Sequence, residues 1–151
     1  FFFFYYPVKL QVVGCIPPVE EAEAMNVLDF LNKNNPEEAR QIFNFLQNSH
    51  FMFMPTRADC TPISFCEAAS YGLPVISTDT GGVAAVVEPG ETGILLPVNA
   101  SSEQYADEIE ILLQNPEQIR AFSQNAREKY EKELNWSVWG EKMSKIIVKF
   151  L

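Results

Sequence analysis

The 151-residue chain predicts an α/β fold, a mostly parallel sheet with helices on both faces. Three observations point to it. Short apolar runs of strand length alternate with stretches of helical spacing. The segment from His50 to Thr80 has the full order strand, loop, helix, strand. Proline, asparagine and serine stand where helices would start, and glycine where one would stop.

The chain opens on Phe1 to Tyr6, a dense aromatic run. It is too short to span a membrane and lacks the basic start of a signal peptide. A strand, a helix end and the start of an incomplete chain all fit it. After Pro7, Val8 to Gly14 is a β-branched strand, and Gly14 allows the sharp exit that nucleotide-binding strand-to-loop turns use. Cys15 to Pro18 continues as loop. Glu20 to Ala24 is acidic and alanine-rich, one helical turn, and Asn26 to Leu31 is a second strand. Asn32 to Asn35 is a turn cluster, in which Lys33 either faces a ligand crevice or is a solvated turn lysine. Pro36 opens a helix capped by Asn35, with Glu37 and Glu38 at its positive end. Its apolar stripe is Ala39, Ile42, Phe45 and Leu46.

His50 to Met54 is expected as a buried strand, ended by Pro55 and Thr56. Ile63 to Tyr71 has helical spacing, with Ile63, Cys66, Ala69 and Phe65 on the inner side. Gly72 and Pro74 stop it, and Val75 and Ile76 begin the next buried strand. Gly81 and Gly82 give a tight turn that either lines a phosphate site or is structural only. Val83 to Val87 is a short helix or turn, Pro89 to Gly93 a turn, and Gly93 to Pro97 the last strand. A helix capped by Ser101 or Ser102 runs through Leu113, with Tyr105, Ile109, Leu112 and Leu113 inward. Pro116 starts another, carrying Ile119, Phe122, Ala126 and Tyr130. Asn135 to Ser137 interrupts, and Ser137 is expected to cap a final helix whose core stripe is Met143, Ile146, Ile147 and Phe150. No repeat, low-complexity tract or linker divides the chain, so residues 1–151 are expected to form a single domain.

A net charge of −9 argues against nucleic acid and anionic membrane surfaces as general partners. Cys15, Cys60 and Cys66 are odd in number and form no CxxC pair, which fits reduced thiols in the cytoplasm. His50 is the only histidine, so a histidine-rich metal site is excluded and His50 reads as structural.

In a strand–helix–strand unit, the loop at the carboxyl end of the first strand faces the ligand crevice. Here that loop carries Asp59, and Glu67 follows eight positions on. A helix starting near Thr61 to Ile63 points unpaired N–H groups at that crevice, which suits an anion such as a diphosphate. Pro62 fits its first turn, where no N–H is missed. The carboxylate of Glu67 can accept hydrogen bonds from two vicinal hydroxyls, as on a ribose, and Asp59 can do the same for a hexose. The candidate binding set is Asp59, Thr61, Pro62, Ile63, Ser64 and Glu67. A second reading uses the same residues structurally: Asp59 or Thr61 caps the helix, and Glu67 favours the positive end of the dipole.

Pro55-Thr56, Asp59, Glu67-Ala68, Gly72-Leu73-Pro74-Val75-Ile76, Thr78-Asp79, Gly81-Gly82 and Glu88 to Pro97 follow one another in a fixed order. This pattern resembles the carboxyl-terminal, Rossmann-like donor domain of retaining, nucleotide-sugar-dependent glycosyltransferases of the GT-B fold, family 4 type. The resemblance implies transfer of a hexosyl group from a nucleotide diphosphate sugar to an acceptor hydroxyl. It assigns Glu67 to the ribose, Asp59 to the hexose and the amides near Ile63 and Ser64 to the diphosphate. It sets Lys33 near the donor base and Gly14 in a neighbouring loop. None of these acts as a general base, and neither metal nor other cofactor is implied. Val8 to Gly14 resembles the second strand of that domain, so the resemblance implies an incomplete donor domain, inactive alone. Missing would be its first strand–helix unit, with an Arg and a Lys for the diphosphate, and the amino-terminal acceptor domain. The final helix of the family returns to that acceptor domain, which makes Trp136 and Trp139 expected half-exposed interface residues. Two departures stand out: Asp59 replaces a glutamate, and Cys60-Thr61-Pro62 replaces glycine-aromatic-glycine, with Pro62 removing one backbone donor. A non-catalytic nucleotide- or sugar-binding module and a structural α/β interaction domain are the alternatives from other classes.

Overall fold

The computed structural model describes residues 8–15 and 25–150. The expectations for Phe1 to Tyr6, for the loop beyond Cys15 and for a helical turn at Glu20 to Ala24 lie outside the described residues. The chain divides into two compact units, Phe1–Asn48 and Ser49–Leu151.

In the first unit β1 (Leu10–Val13) and β2 (Met25–Leu28) pair in parallel, Leu10 opposite Met25 and Val13 opposite Leu28. Gly14 has φ +80°, and its N–H donates to the Leu28 carbonyl at 3.2 Å. That is the last rung of the ladder. It explains why β2 stops at Leu28 instead of reaching the predicted Leu31, and why Phe30 is 77% exposed. A network of asparagines then turns the chain. Asn32 Oδ1 accepts from the Asn34 N–H, and the Asn32 N–H donates to Glu38 Oε2. Asn35 Oδ1 accepts from the Glu37 N–H at 3.0 Å, so Asn35 opens α1 (Pro36–Asn48) as the sequence predicts. Ala39 and Leu46 of the expected stripe are buried, Ile42 and Phe45 half-buried.

The second unit is built on a three-stranded parallel sheet, β3 (Met52–Met54), β4 (Val75–Thr78) and β5 (Gly93–Leu96), in that order. Two helices make the crossovers, α2 (Ile63–Ser70) and α3 (Val83–Val86). β4 lies between the other two, and all four of its residues are buried. Its two hydroxyls are satisfied, as buried polar groups must be. Ser77 Oγ donates to the Met54 carbonyl at 2.8 Å, and Thr78 Oγ1 shares a 2.7 Å bond with the Tyr105 hydroxyl. β3 departs from the expected buried strand. As the outer strand of this sheet it is half-buried, and Phe53 is exposed with its ring edge against Tyr105, centroids 5.6 Å apart.

Three longer helices follow: α4 (Ser102–Gln114), α5 (Pro116–Lys129) and α6 (Trp136–Ile147). Ser101 and Gln104 form a reciprocal capping box at α4, and Tyr105, Ile109 and Leu112 are its buried residues. Asn115 caps α5, whose Phe122 and Ala126 are buried. A π-helical turn (Tyr130–Leu134) links α5 to α6. The predicted cap Ser137 is not used. Asn135 accepts from the Val138 N–H at 3.0 Å and donates to the Tyr130 and Glu131 carbonyls at 3.0 and 2.9 Å. The amide brings two protons for these two carbonyls, whereas a serine hydroxyl has a single proton to donate. The core stripe expected on α6 is not formed either: no residue of α6 is buried, and Trp136 is 73% exposed. No helix among the described residues is long and apolar enough to cross a membrane.

Candidate functional site

Six of the candidate residues sit on one stretch, the β3–α2 loop and the first turns of α2. Thr56 and Thr80 brace the loop. Thr56 Oγ1 donates to the Ala58 carbonyl at 3.1 Å, and Thr80 Oγ1 to the Arg57 carbonyl at 3.5 Å. Pro62 is buried, with φ −66° and ψ 111°, and directly precedes the first residue of α2. An extended residue there turns the chain from loop into helix, and proline fixes the required φ. The predicted start between Thr61 and Ile63 is therefore met at Ile63.

The face that α2 buries differs from the expected one. Phe65, Ala68 and Ala69 are buried, while Ile63 is 60% exposed and Cys66 half-buried. At about 100° per residue, Ile63 and Glu67 fall on the side opposite Phe65. The apolar character of Ile63 misled the pattern, because a helix of eight residues carries too few positions to define a stripe. Glu67 is consequently half-buried on the outward face, one turn in from Ile63.

The structural alternative for the loop residues is not what forms. No side chain caps α2. Thr61 Oγ1 donates to the carbonyl of Cys60 at 2.6 Å, and Asp59 takes no part in a cap. The first turn of α2 thus presents its amides at the carboxyl end of β3 without a side-chain acceptor closing them off. Only Phe65 N–H is drawn back, to the Pro62 carbonyl at 3.0 Å.

Gly81 and Gly82, between β4 and α3, lie against this loop. The Gly82 N–H donates to the Asp59 carbonyl at 3.1 Å. A Cβ built on Gly81, which has φ +54°, would stand 2.0 Å from the Asp59 carbonyl oxygen. One on Gly82 would stand 1.6 Å from that of Cys60. The far end of α2 is held as closely. Gly72, with φ +65°, leaves room for the Ser123 backbone of α5, and Arg127 of α5 donates to the Ser70 carbonyl. Arg127 also pairs with Glu131 at 2.8 Å. The Glu88–Gly93 turn is fastened to the same helix. Buried Thr92 accepts from the Glu88 N–H at 2.8 Å, Asn125 donates to the Glu91 carbonyl at 3.1 Å, and Lys129 pairs with Glu88 at 3.4 Å.

Burial pushes the Cys66 thiol pKa up, and the neighbouring Glu67 carboxylate pushes it further in the same direction. Among the described residues no group of three or more His, Cys, Asp or Glu side chains is placed to hold a metal ion. Gly14 and Lys33 belong to the first unit, Gly14 at the end of β1 and Lys33 exposed in the asparagine-rich turn. Thr80 and Ser77 are the residues that sequence reasoning passed over. Each ties β4 or its exit to the backbone of β3 or its loop. Their only signal was the hydroxyl-rich run Ser77-Thr78-Asp79-Thr80 ahead of the glycine pair.

Residues 9–129 match the family described as glycosyl transferases group 1. Among curated relatives, D-inositol 3-phosphate glycosyltransferase of Gordonia bronchialis is 23% identical over 109 residues, 72% of this chain and 24% of that protein. D-rhamnosyltransferase WbpZ of Pseudomonas aeruginosa is 28% identical over 132 residues, 83% of this chain and 34% of that protein. Among solved structures, sucrose-phosphate synthase from Thermosynechococcus elongatus superposes with a TM-score of 0.76 at 20% identity, over 94% of this chain and 38% of that one. HepE from Anabaena, solved in complex with UDP-glucose, gives 0.69 at 16% identity, over 84% of this chain and 33% of that one. The chain thus spans about a quarter to a third of these curated relatives.

Proposed function

We propose that this chain, which belongs to the glycosyl transferases group 1 family, binds a nucleoside diphosphate sugar at the β3–α2 loop and presents its hexosyl group for transfer to an acceptor hydroxyl. The observation that carries the reading is the mouth of α2, where no side chain caps the helix. Asp59 precedes that mouth and Glu67 lies one turn inside it. The amides of Ile63 and Ser64 and the positive end of the helix dipole hold the diphosphate. Glu67 accepts from the ribose hydroxyls and Asp59 from the hexose, with Thr61 and Pro62 shaping the mouth. The solved complex of HepE with UDP-glucose supports a nucleotide sugar as the ligand class.

In this reading the transfer keeps the anomeric configuration and is of family 4 type. The site offers carboxylates that orient hydroxyls and amides that receive the leaving diphosphate, an electrostatic contribution to transfer. No metal ion is given a role. The three cysteines are free, which supports a reducing, cytoplasmic setting. Measured by itself, the chain binds donor without transferring it, because an amino-terminal acceptor domain is assigned the acceptor.

Calorimetric titration with UDP, GDP and ADP tests the reading. One of them gives saturable heat that chelation with EDTA leaves unchanged. Glu67→Ala weakens that nucleotide about tenfold or more, as the loss of charge-assisted hydrogen bonds requires. Absence of heat with all three in a folded sample removes the donor reading. A Glu67→Ala variant that binds as well as the parent removes the ribose assignment.

A further inference from the structure

We infer that Gly81 and Gly82 are positioning residues: they act on the donor through Asp59, by locking the backbone of its loop, and do not themselves touch the diphosphate. This deepens the donor reading and rests on it. Two hydrogen bonds and two close approaches join the β4–α3 turn to the β3–α2 loop, and each meets a backbone carbonyl. Thr80 Oγ1 reaches the Arg57 carbonyl at 3.5 Å, and the Gly82 N–H reaches that of Asp59 at 3.1 Å. At Gly81 and Gly82 a Cβ would meet the carbonyl oxygens of Asp59 and Cys60 at 2.0 and 1.6 Å. These are backbone atoms, so no side-chain rotation relieves the overlap and the loop itself must move.

The Gly82 N–H that a phosphate would need is already spent on the Asp59 carbonyl. What the turn governs is where the peptide of Asp59 sits, and with it the origin of the carboxylate that meets the hexose. Glu67 is fixed separately. It stands on α2, which buries Phe65, Ala68 and Ala69 and is tied to α5 through Gly72 and Arg127. The ribose end and the sugar end of the donor therefore depend on different supports, and a change at Gly82 falls more heavily on the second.

The test compares the full chain with Gly82→Ala and with the milder Thr80→Val, which keeps both glycines. Calorimetry measures each against a nucleoside diphosphate and its hexose conjugate: UDP with UDP-glucose, GDP with GDP-mannose, ADP with ADP-glucose. Amide NMR of the unliganded chain reads the loop directly. For Gly82→Ala the amide resonances from Arg57 to Thr61 shift. Affinity for the hexose conjugate falls about tenfold, while affinity for the diphosphate stays within about twofold. Thr80→Val moves both readouts in the same direction by less. Equal losses for the diphosphate and its conjugate overturn the inference, because Gly82 would then contact phosphate. Unmoved loop resonances in both variants overturn it too. If the parent binds none of the six compounds, the donor reading fails. The hold on the loop is then judged by NMR alone, where shifts confined to residues 57–61 uphold it and their absence refutes it.

Discussion

Helices α2 and α6 look alike in sequence, each apolar on one side, yet one is enclosed and the other faces solvent. α2 has only eight residues and would not persist alone. It is held because Phe65, Ala68 and Ala69 enter the core and because glycines at both of its ends let backbone come close. α6 is longer, well capped by Asn135 and more strongly amphipathic, and buries no residue fully, with Val138 and Met143 half-buried. The difference teaches that helical periodicity reports a face that prefers cover, while the cover itself comes from residues distant in sequence. For α2 it includes Val86 and Ala126, which line a common small cavity with Phe65 and Ala69. Trp136 and Trp139 on α6 are exposed and meet edge to face, ring centroids 5.8 Å apart.

That contrast can be broken most decisively by truncating one ring in each region. Phe65→Ala, at a fully buried position, lowers unfolding stability by about 3–5 kcal/mol in a denaturant titration. Phe150→Ala, in the 3-10 turn that follows α6 and ends the expected stripe, where the ring is 86% exposed, changes it by no more than about 0.5 kcal/mol. A loss at Phe150 as large as that at Phe65 would mean the α6 stripe is covered in solution. A smaller difference separates the two possible caps of α6. Asn135→Ala costs about 1–2 kcal/mol, since the carbonyls of the π-helical turn lose their donor as well as the helix its cap. Ser137→Ala stays within about 0.5 kcal/mol. The opposite order would restore the cap read from sequence.

The smallest expected effect lies within α2. Exposed Cys60 reacts with iodoacetamide ahead of half-buried Cys66, as peptide mass spectrometry would resolve. The raised Cys66 pKa keeps the thiol protonated in the folded chain, and Glu67 adds to what burial begins. Its contribution to stability is full below the ordinary thiol range. It is lost as pH climbs from there through the raised value. Glu67→Gln speeds labelling of Cys66 at a given alkaline pH. An unchanged rate would separate the two side chains.

The alternation of strands and helices was legible in the sequence, and so were the cap at Asn35, the cap at Ser101 as one of two serines, and the start of α5 at Pro116, because propensity and capping are local. The position of the α2 mouth was legible for the same reason, from Pro62 and the run that follows it. What was not legible depends on partners. β2 ends where β1 runs out of rungs at Gly14, which no residue near Leu31 announces. Ile63 reads as core until the burial of Phe65 fixes the orientation of the helix. The competing assignment of Asp59 and Thr61 to capping could be settled only by hydrogen-bond geometry. The glycine pair was visible as a turn, but its closeness to Asp59 and Cys60 spans more than twenty positions of chain.

The grip on that loop ends chiefly on carbonyl oxygens, those of Arg57, Asp59 and Cys60. Every amino acid offers the same carbonyl, so the chemistry at positions 59 and 60 is uncoupled from the shape of the segment that bears it. An aspartate for a glutamate, or a cysteine for a glycine, can be exchanged there without redrawing the backbone path. The scaffold thus tolerates variation at the proposed point of contact with the sugar, and demands constancy in two residues that carry no side chain at all.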